Sequence, residues 1–184
     1  DHKMDSYTMD ADGSNVRRLT YLEGDNYLPS WSPDGSQLVF VNDLGNSERE
    51  IMRIDADGSN LVRLTNSPVS DNHPDWSPNG DLIVFLSDRE KNCEIFVMDI
   101  DGGNVRNISK HPANDMAPNW SPDGSMIAFT SDRDGAFDIF VMNADGSEQR
   151  SLNHHIEADY LPRWSPDGTR IGFYSNHSGW TNLD

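Results

Sequence analysis

The sequence has a single cysteine, Cys93, among its 184 residues, so no disulfide bond can form within the chain. It also lacks a long apolar run: the segment LIVFL at 82–86 is far too short to span a bilayer as a helix. Basic residues are scarce, with 14 Lys and Arg against 31 Asp and Glu and a formal net charge of −17. A phosphate backbone would be repelled by this charge. We therefore expect neither a membrane span nor a nucleic-acid partner.

The chain also begins without an initiator Met and without the pattern of a signal peptide, since its first residues read DHKMDSY. This start indicates a processed chain or a fragment and leaves the compartment open. Aromatic residues make up 9% of the sequence and include five tryptophans, which argues against disorder despite the acidity. The length fits one folded domain over residues 1–184.

A five-residue motif recurs along the whole chain. It reads WSPDG at 31–35, 120–124 and 164–168, and WSPNG at 76–80. Each of its tryptophans has a proline two positions before it and a phenylalanine nine positions after it, and a turn motif such as DADGSN (10–15 and 55–60) recurs in the same register. The repeated core residues are therefore expected to be Trp31, Trp76, Trp120 and Trp164 with Phe40, Phe85, Phe129 and Phe173. Such self-similarity is typical of repeat architectures.

Each repeat predicts four short strands. Pro, Asp and Gly after each tryptophan favour a tight turn, and apolar residues then alternate with a period of two, as in MIAFT at 126–130. A four-stranded sheet of this size cannot bury its faces alone, so successive sheets are expected to stack around an axis as a β-propeller. The predicted units are a half blade at 1–20, full blades at 21–65, 66–109 and 110–153, and a half blade at 154–184.

The stretch from Pro118 to Gly146, PNWSPDGSMIAFTSDRDGAFDIFVMNADG, resembles the repeat of the TolB-like propellers, a WD40-like or PD40 repeat shared with propeller domains of tricorn and prolyl-oligopeptidase-type peptidases. The resemblance covers nearly the whole chain. It implies an all-β propeller that binds proteins in the periplasm or outside the cell. Three features depart from the family: only four repeats are present, the amino-terminal α/β domain of TolB is absent, and the last repeat drifts to SNHSGW at 175–180.

The two ends of the chain match two halves of one blade. Residues 5–20 align with the last two strands of a repeat, whereas the last repeat stops after its first two strands. Pairing them would complete a fourth blade shared between the terminal strands and would remove open sheet edges. The same halves can also pair between chains, giving a larger ring or a filament, or the chain can be a fragment of a longer propeller. The sequence leaves these three alternatives open.

Three function classes follow. We expect a non-enzymatic scaffold that mediates protein interactions, with no catalytic residues and no certain cofactor. The alternatives are a propeller domain of a prolyl-oligopeptidase or tricorn-type peptidase, and a structural subunit that self-associates through its half blades. No G-x-S-x-G motif occurs and Cys93 has no histidine near it in sequence. The repeated serines are expected to bond locally beside their turns: Ser32, Ser77, Ser121 and Ser165.

Several other side chains have two possible roles. His111 and His155 share a repeat phase, and related pectin-degrading lyases hold a catalytic metal with such histidines, but two ligands fall short of three, so solvated loop histidines are expected. The DADG segments are interpreted as turns rather than calcium loops. Arg133 is a candidate for an ion pair between blades. Trp180 lies outside the repeat phase and is free for an interface.

One candidate metal site depends on repeat symmetry. An acidic or amide residue stands three positions before each repeat proline, at the start of the strand expected nearest the axis. A closed ring would bring these four side chains together, and calcium suits such oxygen ligands. The alternative is that they only bond backbone amides at the strand entry. The predicted ligands are Asn26, Asp71, Asp115 and Asp159.

Overall fold

The computed structural model describes residues 3–45, 48–152 and 157–176 and contains sixteen β-strands and no helix in those ranges. No helix long and apolar enough to cross a membrane occurs in these ranges. Twelve strands form three four-stranded antiparallel sheets in which each strand pairs with the next along the chain. The expectation of an all-β protein built from four-stranded blades is confirmed.

The three full blades follow one another in the chain. Blade I consists of β3 (Asp25–Trp31), β4 (Gln37–Asp43), β5 (Arg49–Asp55) and β6 (Val62–Arg63). Blade II consists of β7 (Asp71–Trp76), β8 (Leu82–Ser87), β9 (Glu94–Asp99) and β10 (Arg106–Asn107). Blade III consists of β11 (Asp115–Trp120), β12 (Met126–Ser131), β13 (Asp138–Asn143) and β14 (Arg150–Ser151).

Two shorter sheets flank these blades. The N-terminal half blade consists of β1 (Tyr7–Thr8) and β2 (Arg17–Arg18), and the C-terminal half blade of β15 (Asp159–Trp164) and β16 (Ile171–Ser175). The strands of each half blade pair with each other, and among the described residues no pairing joins the two half blades. Closure of the ring is thus not detected, and the shared blade stays a prediction.

The hairpin between the first two strands of each blade is built by the WSPDG motif. In blade III the Gly124 N–H donates to the Ser121 carbonyl at 2.9 Å, and Gly124 has a φ of 72° that suits glycine. The Ser121 hydroxyl donates to Asp123 Oδ1 at 2.6 Å and accepts the Met126 N–H at 2.9 Å. These bonds are local, as the sequence predicts for the repeated serines.

The hydrophobic core lies between blades rather than within them. Trp76 packs with Val39, Ile51 and Leu64 of blade I and with Ile83 and other residues of blade II. Trp120 occupies the same position between blades II and III. Phe40, Phe85 and Phe129 have no solvent exposure. Each blade therefore buries its two faces against different neighbours.

Two of the expected core residues are not buried. Trp31 is 49% exposed and Phe173 is 40% exposed, and Trp164 is partly buried. The N-terminal half blade supplies Leu19 at the place of Leu64 but has no counterpart of Val39 to cover Trp31. Phe173 lacks a third strand beside β16 in the described part of the chain. The expectation that all eight aromatic residues are core is wrong for these two.

Candidate axial site

The first strands of successive blades lie side by side: β3 beside β7, β7 beside β11 and β11 beside β15. Each has a shift of register beside the repeat proline, and the residue before that proline has a left-handed backbone, as His73 does with a φ of 50°. The equivalent residues are Leu28, Ala117 and Leu161. Residues before and after these prolines, such as His73 and Asp75, line a common cavity.

A chain of hydrogen bonds links these first strands through the residue before each tryptophan. The Ser30 hydroxyl of blade I donates to Asp75 Oδ1 of blade II at 3.1 Å. Asp75 Oδ2 accepts the Asn119 side-chain amide at 2.8 Å and the Trp120 N–H at 2.9 Å, both from blade III. Asn119 Oδ1 in turn accepts the Trp164 N–H at 2.9 Å. Polar side chains at this position therefore join each blade to the next.

These residues border a cavity of about 260 Å³. All four first strands contribute to its lining, which consists of Leu28, Pro29, Ser30, His73, Pro74, Asp75, Asn119 and Arg163. Arg163 is exposed, and its Nη1 donates a long hydrogen bond of 3.3 Å to the Pro162 carbonyl. We call this cavity the axial cavity.

The charges around the axial cavity are shaped by burial. Burial raises the pKa of Asp75, and this effect is opposed first by the Trp120 N–H and then by the Arg163 guanidinium. Burial lowers the pKa of His73, and the positive charges of Arg163 and Arg49 lower it further. The imidazole is therefore neutral at neutral pH. Its Nδ1 atom is buried and has no hydrogen-bond partner within the described ranges.

The four residues predicted to bind calcium lie at equivalent positions at the start of the first strands, and all are buried. Asp71 accepts two hydrogen bonds from Arg89 Nη2 at 2.9 and 3.0 Å, and Asp115 accepts two from Arg133 Nη2 at 2.9 and 2.8 Å. Arginines thus supply the positive charge that the calcium hypothesis assigned to a cation.

The other two predicted calcium ligands are Asn26 and Asp159. The Asn26 amide oxygen accepts the Asn42 side-chain amide at 3.0 Å. Asp159 is buried at the start of β15, in the same place. Within residues 3–45, 48–152 and 157–176 no three His, Cys, Asp or Glu side chains form a group able to hold a metal ion. Calcium binding by Asn26, Asp71, Asp115 and Asp159 stays a prediction, which melting with calcium against chelator would test.

Arg133 was a candidate for an ion pair between blades, but its partner Asp115 belongs to the same blade. The link to blade II is indirect: Arg133 Nη1 donates to Gln149 Oε1 at 2.8 Å, and Gln149 Nε2 donates to the Ser109 carbonyl at 2.9 Å. The prediction of an ion pair between blades is therefore wrong, and an uncharged glutamine makes the contact instead. The sequence could not show this, because the arginine is 18 residues from its carboxylate and reaches it only through strand pairing.

The other candidate side chains have mainly structural contacts. His111 Nδ1 accepts the Ala113 N–H at 3.1 Å. Burial, followed by nearby carboxylates such as Asp88, raises the pKa of the Cys93 thiol, which disfavours a reactive thiolate. In the first DADG turn, Asp12 Oδ1 accepts the Ser14 hydroxyl at 2.6 Å and the Ser14 N–H at 2.9 Å. His155 and Trp180 lie outside the described residues.

Sequence reasoning missed His73, Asp75 and Arg163. A usable signal was present: the residue between the repeat proline and tryptophan is Ser, Asp, Asn and Arg in the four repeats, polar each time within a strand expected near the axis. Polar residues at a repeated inward position indicate a lined channel rather than a packed core. The variable residue before the proline gives no such pattern.

The stacked four-stranded blades and polar axis define a β-propeller. The family model described as the TolB beta propeller domain matches residues 1–87, 23–112 and 44–183. The chain belongs to this family. No protein of curated function matches the sequence.

Solved structures share the fold. A putative TolB from Agrobacterium tumefaciens is 25% identical with a TM-score of 0.82 and is matched over 92% of this chain and 62% of its own. TolB from Acinetobacter baumannii is 22% identical with a TM-score of 0.78, over 91% of this chain and 42% of its own. Oligogalacturonate lyase from Vibrio parahaemolyticus is 20% identical with a TM-score of 0.73, over 96% and 54%. This chain thus spans less than two thirds of each of these proteins.

Proposed function

We propose that this propeller is a non-enzymatic binding module that engages a protein partner in the periplasm or outside the cell. Membership of the TolB propeller family supports this location and role, since two of the similar structures are TolB proteins. The same fold also occurs in an oligogalacturonate lyase, so the fold alone does not decide between binding and catalysis. The proposal therefore depends on what the surface of this chain offers a partner.

The observation that carries the proposal is one acidic face. Because neighbouring strands are antiparallel, the turn after the first strand and the turn after the third strand lie at the same end of each blade. The first set of turns presents Asp34, Asp123 and Asp167, and the second presents Asp12, Asp57 and Asp145. We call this end the turn face.

The carboxylates of the turn face are ionised over the whole physiological range. Hydrogen bonds from Ser32 and Ser36 lower the pKa of Asp34 to about 2, and serine or threonine bonds do the same for Asp123 and Asp167. Serine bonds also lower the pKa of Asp12, Asp57 and Asp145. A fixed negative field of this kind steers a positively charged protein surface toward the face.

The chain offers a conservative test of the turn face. Blade II carries Asn79 at the aspartate position, and the Ser77 hydroxyl still donates to Asn79 Oδ1 at 2.7 Å, so Asn keeps the turn. We expect Asp123→Asn with Asp167→Asn to reduce the capture of partner proteins from periplasmic extract of the source organism. Capture should fall with added salt in the parent chain because exposed charges are screened.

The matched control removes two charges at the opposite end of the blades, with Glu23→Gln and Glu90→Gln. These changes should leave capture at the parent level. Equal capture by both double variants, or capture insensitive to salt, would contradict the acidic turn face. Turnover of oligogalacturonate by the purified chain would contradict the non-enzymatic role.

A further inference from the structure

The unused hydrogen-bonding capacity of the axial cavity consists mainly of donors. Arg163 has five N–H groups, and within the described part of the chain it donates one long hydrogen bond, to the Pro162 carbonyl. The side-chain oxygens of Asp75 and Asn119 are, in contrast, engaged: Asp75 accepts three hydrogen bonds and Asn119 Oδ1 accepts the Trp164 N–H. A ligand that fits these free donors brings acceptors, and the planar guanidinium matches the two oxygens of a carboxylate.

A second cavity of about 150 Å³ shares His73 as a wall with the axial cavity. Its lining is almost entirely apolar and includes Leu86, Met116, Ala117 and Leu161. An apolar cavity of about this volume holds a molecule the size of benzene. The two cavities follow one another along the first strands. The apolar cavity is lined by residues that precede the repeat prolines, whereas the axial cavity extends to the residues that follow them.

We propose that the axial cavity binds a carboxylate carried on an apolar group, with Arg163 as the anion-binding residue and the apolar cavity beside His73 as the pocket for the attached group. The neighbouring carboxylate of Asp75 is already compensated by the Ser30 hydroxyl, the Asn119 amide and the Trp120 N–H. The guanidinium is therefore not required as its hydrogen-bond donor. This site is separate from the turn face and does not rest on the proposed function.

Two sources can present this chemistry: a small carboxylic acid, or the C-terminal residue of a peptide or protein. The probes are N-acetyl-leucine, its amide, and a tetrapeptide ending in leucine with a free carboxylate. Each is titrated into the full chain labelled with ¹⁵N, and the Trp164 backbone and Asn119 side-chain amides are followed. We expect saturable shifts with the two free acids and none with the amide.

A tighter fit of the tetrapeptide than of N-acetyl-leucine assigns the site to a protein C-terminus, and the reverse order assigns it to a small acid. Arg163→Gln should weaken binding by about tenfold or more, since a hydrogen bond to a charged group contributes at least that factor. Arg150→Gln removes the same charge from an exposed outer strand and should leave binding unchanged.

A second variant, at His73, tests the site independently in case Arg163→Gln does not fold. His73→Asn keeps a residue that tolerates the left-handed backbone while it removes an imidazole that lines both cavities. We expect it to weaken the free acids and to melt as the parent does. Equal binding of acid and amide, unchanged binding in Arg163→Gln, or no saturable shift up to about 10 mM probe would overturn the proposal.

Discussion

Arg133 Nη2 lies 2.9 and 2.8 Å from the two carboxylate oxygens of Asp115, a residue with no solvent exposure. The same guanidinium donates through Nε to the Ser131 hydroxyl at 2.9 Å and lies 4.9 Å from the centre of the Phe140 ring. Blade II repeats the arrangement with Arg89 and Asp71. One arginine thus joins the first strand to the loop after the second and covers the aromatic pair of its blade.

Blade I has an uncharged version of this cluster. The positions of Asp115, Ser131 and Arg133 are occupied there by Asn26, Asn42 and Leu44, and the two asparagines bond to each other at 3.0 Å. The charged residues are therefore replaced together. A lone buried carboxylate without its arginine would be costly, which explains why both are absent from blade I.

We predict that Arg133→Leu lowers the free energy of unfolding by about 3 kcal/mol, because it leaves the Asp115 carboxylate buried without its cation. The triple variant Asp115→Asn, Ser131→Asn and Arg133→Leu copies blade I and should recover most of that loss. Urea denaturation measures both. A triple variant no more stable than the single one would show that the charge of Asp115 is not the cause.

The pH dependence of Arg133→Leu gives a separate prediction. Burial raises the pKa of Asp115 above its ordinary value of 3.8 even though Arg133 opposes the shift, so removal of Arg133 raises it further. An acid with a raised pKa in the folded state is stabilising below its unfolded pKa, and this stability is lost as the pH rises through the folded pKa.

The free energy of unfolding of Arg133→Leu should therefore be closest to that of the parent below pH 3.8, and the difference should grow as the pH rises. The measurement is urea denaturation across this range. The double variant Asp115→Asn with Arg133→Leu has no carboxylate at this place and should not show the added slope. An identical slope in both variants would rule out Asp115 as the titrating group.

The structure also shows which features the sequence can and cannot predict. The turn at Ser121 to Gly124 is local, because its conformation follows from Pro, Asp and Gly themselves, and the spacing of Trp76 and Trp120 is enough to place them between blades. The pair of Asp115 and Arg133 depends on the strand register that opposes Asp115 to Ser131. The axial cavity depends on four strands from different repeats, so it needs the stacked blades.

Tryptophans at equivalent positions of the repeat differ in their solvent exposure. Trp120 is 5% exposed and Trp31 is 49% exposed. We predict that Trp120→Ala lowers the free energy of unfolding by about 3–5 kcal/mol, as other large-to-small core changes do, and that Trp31→Ala costs less than half as much. Urea denaturation of the two variants compares them directly. Equal losses would mean that Trp31 is covered in solution.

The exposed aromatic residues of the half blades point to a specific pairing. In blade III, β12 pairs with β13 so that Ser131 opposes Asp138 and Phe129 opposes Phe140. The equivalent residues of the half blades are Ser175 and Phe173 in β16 and Asp5 and Tyr7 near β1. Tyr7 is 56% exposed and Phe173 is 40% exposed. If the half blades complete one blade, these two side chains face each other and bury apolar area.

We predict that cysteines at these two positions, Tyr7→Cys and Phe173→Cys in a Cys93→Ser background, form a disulfide on mild oxidation, because directly opposed strand residues bring their Cβ atoms within bonding range. A crosslinked single chain indicates closure of one ring, and a crosslinked dimer indicates pairing between chains. The control replaces Phe173→Cys by Tyr174→Cys, whose side chain points to the other face of the strand and should not crosslink. Crosslinking in neither variant, or equally in both, would contradict the shared blade, since only the paired register selects residue 173 over residue 174.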